Sequence, residues 1–271
     1  MTDGVTPALS IVVPAFNEAE NIAPLLAEIE LAFDGATGTI EVILVDDGST
    51  DGTQARMMQE ASERTWVRVL CRPERAGQSA AFCAGIQAAR SAWIGMLDAD
   101  LQNDPADLPK LMKGLDRDGA DWAQGTRRRR EDGLWRAFSS WVGRSFRRMA
   151  LGDMIRDTGC SCRVFRREIG LVLPLQYAGI HRFMPIYARK LGYRVIEVDV
   201  KHRNRASGKA KYGALNRAIP GLVDLIAVRW MFRRLRNVAV EERTLARTDI
   251  QSSNGPEILA RQTGTEPAET R

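Results

Sequence analysis

The chain has 271 residues, 44% of them hydrophobic and 27% charged, with a formal net charge of +5. That length and balance exclude a disordered polyelectrolyte and suit one large α/β domain with appendages. Arginine supplies most of the positive charge, and its planar fork suits phosphate, so an anionic partner is expected.

The first strand is expected at Leu9 to Pro14, left by the loop Ala15-Phe16-Asn17-Glu18. Asn17 can cap a helix whose apolar positions Ile22, Leu25, Leu26, Ile29 and Phe33 recur at helical spacing. Ile40 to Val45 reads as a second buried strand, ending on Asp46-Asp47-Gly48-Ser49-Thr50-Asp51-Gly52, and a helix through Met57 and Met58 follows. A strand at Val67 to Cys71 and a helix from Ala76-Gly77-Gln78-Ser79 to about Ala89 come next. Trp93 to Leu97 is a strand, Pro105 to Leu115 a helix and Ala120 to Gly125 a further strand.

Strands alternating with helices of this length predict a doubly wound, mostly parallel sheet flanked by helices. In such sheets ligands sit outside the carboxyl ends of the strands. Here the loops after Pro14, Val45 and Leu97 are all polar and rich in carboxylates. The last of them, Asp98-Ala-Asp100-Leu-Gln102, offers two carboxylates and an amide oxygen, a donor set that suits a hard divalent cation bridging to a diphosphate. Neither G-x-G-x-x-G after the first strand nor G-x-x-x-x-G-K-[ST] anywhere is present, so glycine loops do not cradle the phosphates and a metal is expected to.

The four cysteines, Cys71, Cys83, Cys160 and Cys162, lack the paired spacing of zinc ligands and read as buried reduced thiols. Met1-Thr-Asp-Gly-Val5 has no basic region leading into an apolar core, and no run of about 18 apolar residues occurs. A cytoplasmic protein without a transmembrane segment is therefore expected.

Val12-Val-Pro-Ala-Phe-Asn-Glu18, Val45-Asp-Asp-Gly-Ser-Thr-Asp-Gly52 and Leu97-Asp-Ala-Asp-Leu-Gln-Asn-Asp-Pro105 occur in this order. Together they resemble family 2 glycosyltransferases with the GT-A fold, and the similarity runs from about Ile11 to Phe232. Asp157-Thr-Gly-Cys-Ser-Cys-Arg-Val-Phe-Arg166, Gly179-Ile-His-Arg-Phe-Met-Pro185 and His202-Arg-Asn-Arg-Ala-Ser-Gly-Lys-Ala-Lys-Tyr-Gly213 resemble the branch that glycosylates polyprenol phosphates, of the dolichol-phosphate mannose synthase type.

By that resemblance Pro14, Phe16, Glu18, Asp46, Gln78, Asp98, Ala99 and Arg205 hold a UDP- or GDP-linked sugar, with Asp46 accepting from the base. Asp98, Asp100 and Gln102 carry Mg²⁺ or Mn²⁺, and Asp100, Arg127, Arg182 and Arg203 are the catalytic set. Arg127, Arg136 and Arg182 bind the acceptor phosphate. The implied reaction is inverting hexosyl transfer to a polyprenyl phosphate. Family 2 enzymes acting on hydroxyls usually carry a carboxylate where this chain has His181-Arg182, and an arginine there suits a phosphate better than a proton. His181 reads either as a core or capping histidine or as a functional one. The alternative activity is transfer to a saccharide hydroxyl in cell-envelope polysaccharide synthesis.

Residues 134–151 form an expected amphipathic interface helix, with Trp135, Phe138, Trp141, Val142, Phe146 and Met149 on one arc and Arg136, Arg144, Arg147 and Arg148 facing the other way. A second amphipathic helix is expected at 214–236, interrupted by Arg217, Asp224 and Arg229. The expected organisation is thus an extension at 1–8, a catalytic domain at 9–213, that helix, and a polar disordered tail at 237–271. Relatives often carry transmembrane helices after this point, so docking at the cytoplasmic face of a membrane, alone or through a separate anchoring subunit, is expected. Nucleic acid is disfavoured as a partner because three carboxylate loops would repel a polyanion.

Overall fold

The computed structural model describes residues 6–34, 37–127, 145–203 and 215–236. The chain divides into two units, Met1–Arg233 and Arg234–Arg271, and the second contributes only 234–236 to the described residues.

β1 (Leu9–Ala15) and β2 (Ile40–Asp46) are buried along their whole length and are mostly apolar; the polar pair inside them, Ser10 and Glu41, is satisfied by the Ser10 hydroxyl donating to the Glu41 carboxylate at 2.5 Å. Each fully buried aliphatic side chain there, such as Ile11, Val13, Ile43 or Leu44, contributes about 2 kcal/mol relative to exposure. β3 (Val67–Cys71), β4 (Trp93–Met96), β5 (Trp122–Arg127), β6 (Arg163–Arg166) and β7 (Val195–Val200) complete a seven-stranded sheet in the order β3-β2-β1-β4-β6-β5-β7. β6 runs antiparallel to both β4 and β5, and the other pairings are parallel. The expected mostly parallel, helix-flanked sheet is therefore present.

α1 (Ala19–Ala32), α2 (Thr53–Glu63), α3 (Gln78–Ala88) and α4 (Asp107–Asp118) are the crossovers. α1 packs Ile22, Leu25, Leu26 and Ile29 with β1 and β2 residues on one side of the sheet, while Phe82 and Ile86 of α3 join the core on the other. Beyond β5 come α5 (145–151), α6 (Arg167–Val172), α7 (Met184–Lys190) and α8 (Leu215–Arg234). α8 is seated through Leu225 and Val228, and Phe232 meets Tyr187 edge-on at 4.6 Å. Among the described residues no helix is long and apolar enough to cross a membrane.

Three expectations need correction. Asn17 does not cap α1; it sits at φ 55°. Its amide donates to Ser49 Oγ, and its Oδ1 accepts from the Thr50 amide at 2.9 Å, so it joins the loops after β1 and β2. Cys160 and Cys162 are buried, with burial pushing the Cys160 thiol up to about 11, but Cys71 is exposed at the end of edge strand β3. Arg147 faces inward, donating to Asp153 at 2.7 Å and to Thr158 at 2.7 Å, while Phe146 and Met149 of the same helix are exposed. A buried carboxylate overrides the helical wheel there. Residues 134–144 of that expected helix and the tail 237–271 lie outside the described residues.

Candidate active site

The strand order reverses between β1 and β4, and the loops leaving the carboxyl ends of neighbouring strands part there. A cleft of about 750 Å³ opens at this point, lined by Pro14 near the end of β1, Phe16 from the loop after it, Gln78 from the start of α3 and Asp98 from the loop after β4. Glu18, Ala99, Asp100 and Gln102 also line it, as do Arg163, His181 and Arg182.

Asp98 is fixed from two sides. Gln78 Nε2 donates to Oδ1 at 2.6 Å and Ser161 Oγ donates to Oδ2 at 2.6 Å. Ser161 in turn accepts from Asn103 Nδ2 at 2.7 Å, so the loop after β4 and the segment entering β6 hold one another. Burial, then the neighbouring charge of Asp100, pushes the Asp98 carboxyl up to about 6, against the Ser161 hydrogen bond and the Arg163 and Arg127 guanidinium groups. Asp100 Oδ1 accepts from the Gln102 amide at 3.2 Å across the turn at Leu101, whose φ is 60°.

This donor set fits a divalent cation. Two carboxylates whose mutual repulsion raises one of them lie two residues apart, and an added positive charge relieves that repulsion. Among the described residues no group of three or more His, Cys, Asp or Glu side chains stands together as a metal cage. An ion here would therefore complete its shell with water and substrate oxygens, as Mg²⁺ commonly does.

The paired aspartates after β2 have different tasks. Asp46 accepts from the Ser49 amide at 3.2 Å and is not on the cleft wall. Asp47 is, and its two oxygens accept from the Ala76 and Gly77 amides at 2.9 and 2.8 Å. Gly77 takes φ 90°, which favours glycine and lets the turn into α3 present both amides. Asp51 stabilises the neighbouring helix starts: burial opposes its charge, but hydrogen bonds from Thr53 and Ala19 hold its carboxyl below the usual range.

Arg127 leaves β5 beside the cleft and is bound bidentately by Asp157. Arg203 is not on the wall; it pairs with Glu28 at 2.7 Å and Asp104 at 3.0 Å, while its amide donates to the Gln102 carbonyl. Arg182 lines the cleft, with Asp224 of α8 at 3.6 Å. Arg136 and Arg205 lie outside the described residues.

Sequence reasoning passed over Asp47, Arg75, Ser161 and Arg163 on this wall. Arg163 is buried, donates to the Cys160 and His181 carbonyls at 2.6 and 3.1 Å, and among the described residues leaves Nε without a hydrogen-bond partner. Ser161 and Arg163 fall within the Asp157–Arg166 stretch, which was the available signal.

The sheet order and the switch-point cleft define an α/β domain of the GT-A type. Solved structures bear out that fold: glucosyl-3-phosphoglycerate synthase from Mycobacterium tuberculosis, in complex with phosphoglyceric acid, superposes with a TM-score of 0.63 at 20% identity, over 88% of this chain and 84% of that one. A mannosyltransferase from Pyrobaculum calidifontis, in complex with GDP-Man and Mn²⁺, gives 0.61 at 21% identity, over 84% and 65%. The family model for Glycosyl transferase family 2 matches residues 10–170, and the chain belongs to that family.

Among curated relatives, a dodecaprenyl-phosphate galacturonate synthase from Rhizobium johnstonii is 35% identical over 83% of this chain and 67% of its own length. An undecaprenyl-phosphate 4-deoxy-4-formamido-L-arabinose transferase from Aeromonas hydrophila is 34% identical over 77% and 64%. The chain thus spans about two thirds of the length of these relatives, at 67% and 64%.

Proposed function

We propose that the protein is an inverting hexosyltransferase that moves a sugar from a UDP- or GDP-linked donor to a polyprenyl phosphate at a membrane surface. The observation that carries this reading is the distribution of charge in the cleft. Its carboxylates, Glu18, Asp47, Asp98 and Asp100, come from the loops after β1, β2 and β4. The wall made by Thr158, Gly159, Ser161, Arg163, His181 and Arg182 has arginines and, among the described residues, no carboxylate.

A sugar hydroxyl needs a general base to become a nucleophile, whereas a phosphate monoester is already anionic at about pH 7. A wall with guanidinium groups and no carboxylate therefore suits a phosphate acceptor. The names of the curated relatives, both acting on polyprenyl phosphates, support the same class.

Pro14, Phe16, Glu18 and Gln78 would position the nucleotide, with Asp46 and Asp47 fixing the loop around it. Asp98, Asp100 and Gln102 would hold Mg²⁺ or Mn²⁺, which when bound offsets the charge of the diphosphate. Arg182 would orient the acceptor phosphate, joined by Arg127 when it exchanges Asp157 for substrate. The preorganised positive wall lowers the barrier because it need not reorganise as charge develops.

The lipid is reached through an apolar face. Leu222, Val223, Ile226 and Trp230 of α8 are exposed at helical spacing, and Phe146 and Met149 of α5 are exposed as well. Arg229 donates to the Ala150 carbonyl, which ties α8 to α5. Apolar side chains with arginines nearby match a helix pair lying in a headgroup layer, at the cytoplasmic face where nucleotide sugars are available. The test is incubation with UDP- and GDP-sugars, Mn²⁺ and a polyprenyl phosphate pool, followed by mass spectrometry. A lipid whose phosphate now bears a hexose is expected, and a hexose found only on saccharide would overturn the proposal.

A further inference from the structure

His181 is clamped along its backbone as well as its ring. Its amide donates to Ser79 Oγ at 3.3 Å, and the same Oγ lies 2.8 Å from its Nδ1. Its carbonyl accepts from the buried Arg163 at 3.1 Å. The preceding turn is set by Gly179 at φ 79°, where an added Cβ would come within 2.1 Å of the Asp224 carboxylate.

A serine hydroxyl has one hydrogen to donate. Ser79 is buried at the start of α3, and Oγ accepts the His181 amide hydrogen. Nδ1 lies within reach of the hydroxyl hydrogen at 2.8 Å, and donation to it leaves the Ser79 hydroxyl with both a donor and an acceptor role filled by His181. In that arrangement Nδ1 is the acceptor and the ring proton sits on Nε2. Burial, with Arg182 and Arg163 nearby, holds the imidazole down to about 3, so the ring is neutral.

Resting on the phosphate-acceptor reading above, we infer that His181 is locked as the Nε2–H tautomer and presents that N–H to an oxygen of the acceptor phosphate on the wall it shares with Arg182. His181 is then a hydrogen-bond donor and not a base, because its basic nitrogen already accepts from Ser79. Ser79 is the positioning residue. The wall thus supplies a donor that fits an acceptor already carrying negative charge.

The test is nitrogen NMR of the full chain isotope-labelled at histidine. The sequence holds two histidines, and His181→Gln identifies the signal of interest. The Nε2–H tautomer is expected in the wild type and in Ser79→Thr, and a mixture in Ser79→Ala. With UDP and Mg²⁺ present, farnesyl phosphate should move the Nε2 resonance and farnesol should not. In steady state His181→Phe should lower kcat/KM for the lipid phosphate about 10- to 100-fold with KM for the sugar nucleotide unchanged, and His181→Gln, which keeps an N–H, should recover part of the loss.

An Nδ1–H tautomer in the wild type, or an unchanged tautomer in Ser79→Ala, would overturn the lock. A resonance indifferent to a farnesyl phosphate that the enzyme glycosylates would overturn the contact. Absence of transfer to any polyprenyl phosphate would overturn the functional reading and the contact with it, while the spectrum still decides the tautomer.

Discussion

Arg127 and Asp157 meet side-on, with Nε 2.7 Å from Oδ2 and Nη2 2.9 Å from Oδ1, so the end of β5 is fastened to the loop that enters β6. Both side chains are mostly buried, at 23% and 19% exposure, and removing either strands the other's charge. Asp157→Ala is predicted to lower stability by about 2 kcal/mol, and Arg127→Ala by a similar amount. The double variant should lose less than the two singles together. Urea unfolding of the four proteins checks this, and strict additivity would show that the pair is not coupled.

Ser161→Ala removes a hydrogen bond to the ionised form of Asp98, so the Asp98 carboxyl should rise further above its value of about 6. Mn²⁺ affinity is predicted to fall about 10-fold, the scale of effects from groups that orient metal ligands. The loss should be larger near pH 6 than near pH 8, because protons compete with the ion at the lower value. Calorimetric titration of Mn²⁺ with UDP at both values decides it.

Asp100→Asn should abolish metal-dependent turnover without unfolding the protein. Its charge is one of the two main causes of the raised Asp98 carboxyl, so the apoprotein should unfold at an equal or higher temperature than the wild type. Activity that survives chelation in the wild type, or a large drop in melting temperature in the variant, would contradict this.

His181 gives a pH signature. Its folded value of about 3 lies below the ordinary histidine value of about 6.5. Between those values the unfolded chain binds the extra proton, so this residue makes stability rise with pH. The contribution is complete above about pH 6.5 and is lost as pH falls toward the folded value. The urea midpoint of the wild type should therefore fall more steeply between about pH 6.5 and 5 than that of His181→Gln. Parallel slopes would contradict a buried neutral ring.

On α8, Ile226→Glu and Trp230→Glu place a charge on an exposed apolar face. Binding to anionic vesicles should drop about 10-fold or more, with the urea midpoint changed little. Retained vesicle binding would remove this face from the membrane.

Much of the fold was legible in the chain because β1 and β2 are mostly apolar and α1 between them keeps helical spacing. β6 was not: four residues, two of them arginines, become a strand by pairing with β4 and β5, which are distant in sequence. β7 carries acidic residues at Glu197 and Asp199, and its pairing with β5 places it at the sheet edge. Asp98 and Asp100 could be picked out because a strand delivers both to one loop. Which of Asp46 and Asp47 faces the cleft depends on the turn at Gly77, far along the chain. The roles of Ser79, Ser161 and Arg163 come from partners on other elements, and spacing along the chain does not encode them.

The central claim is that the acceptor enters already negatively charged, against a wall of arginines that holds no carboxylate among the described residues. Its most direct test is a paired assay of the full chain with undecaprenyl phosphate and undecaprenol under the same donor, metal and detergent. Transfer to the phosphate with none detectable to the alcohol is predicted. Equal rates with the two acceptors would contradict the account.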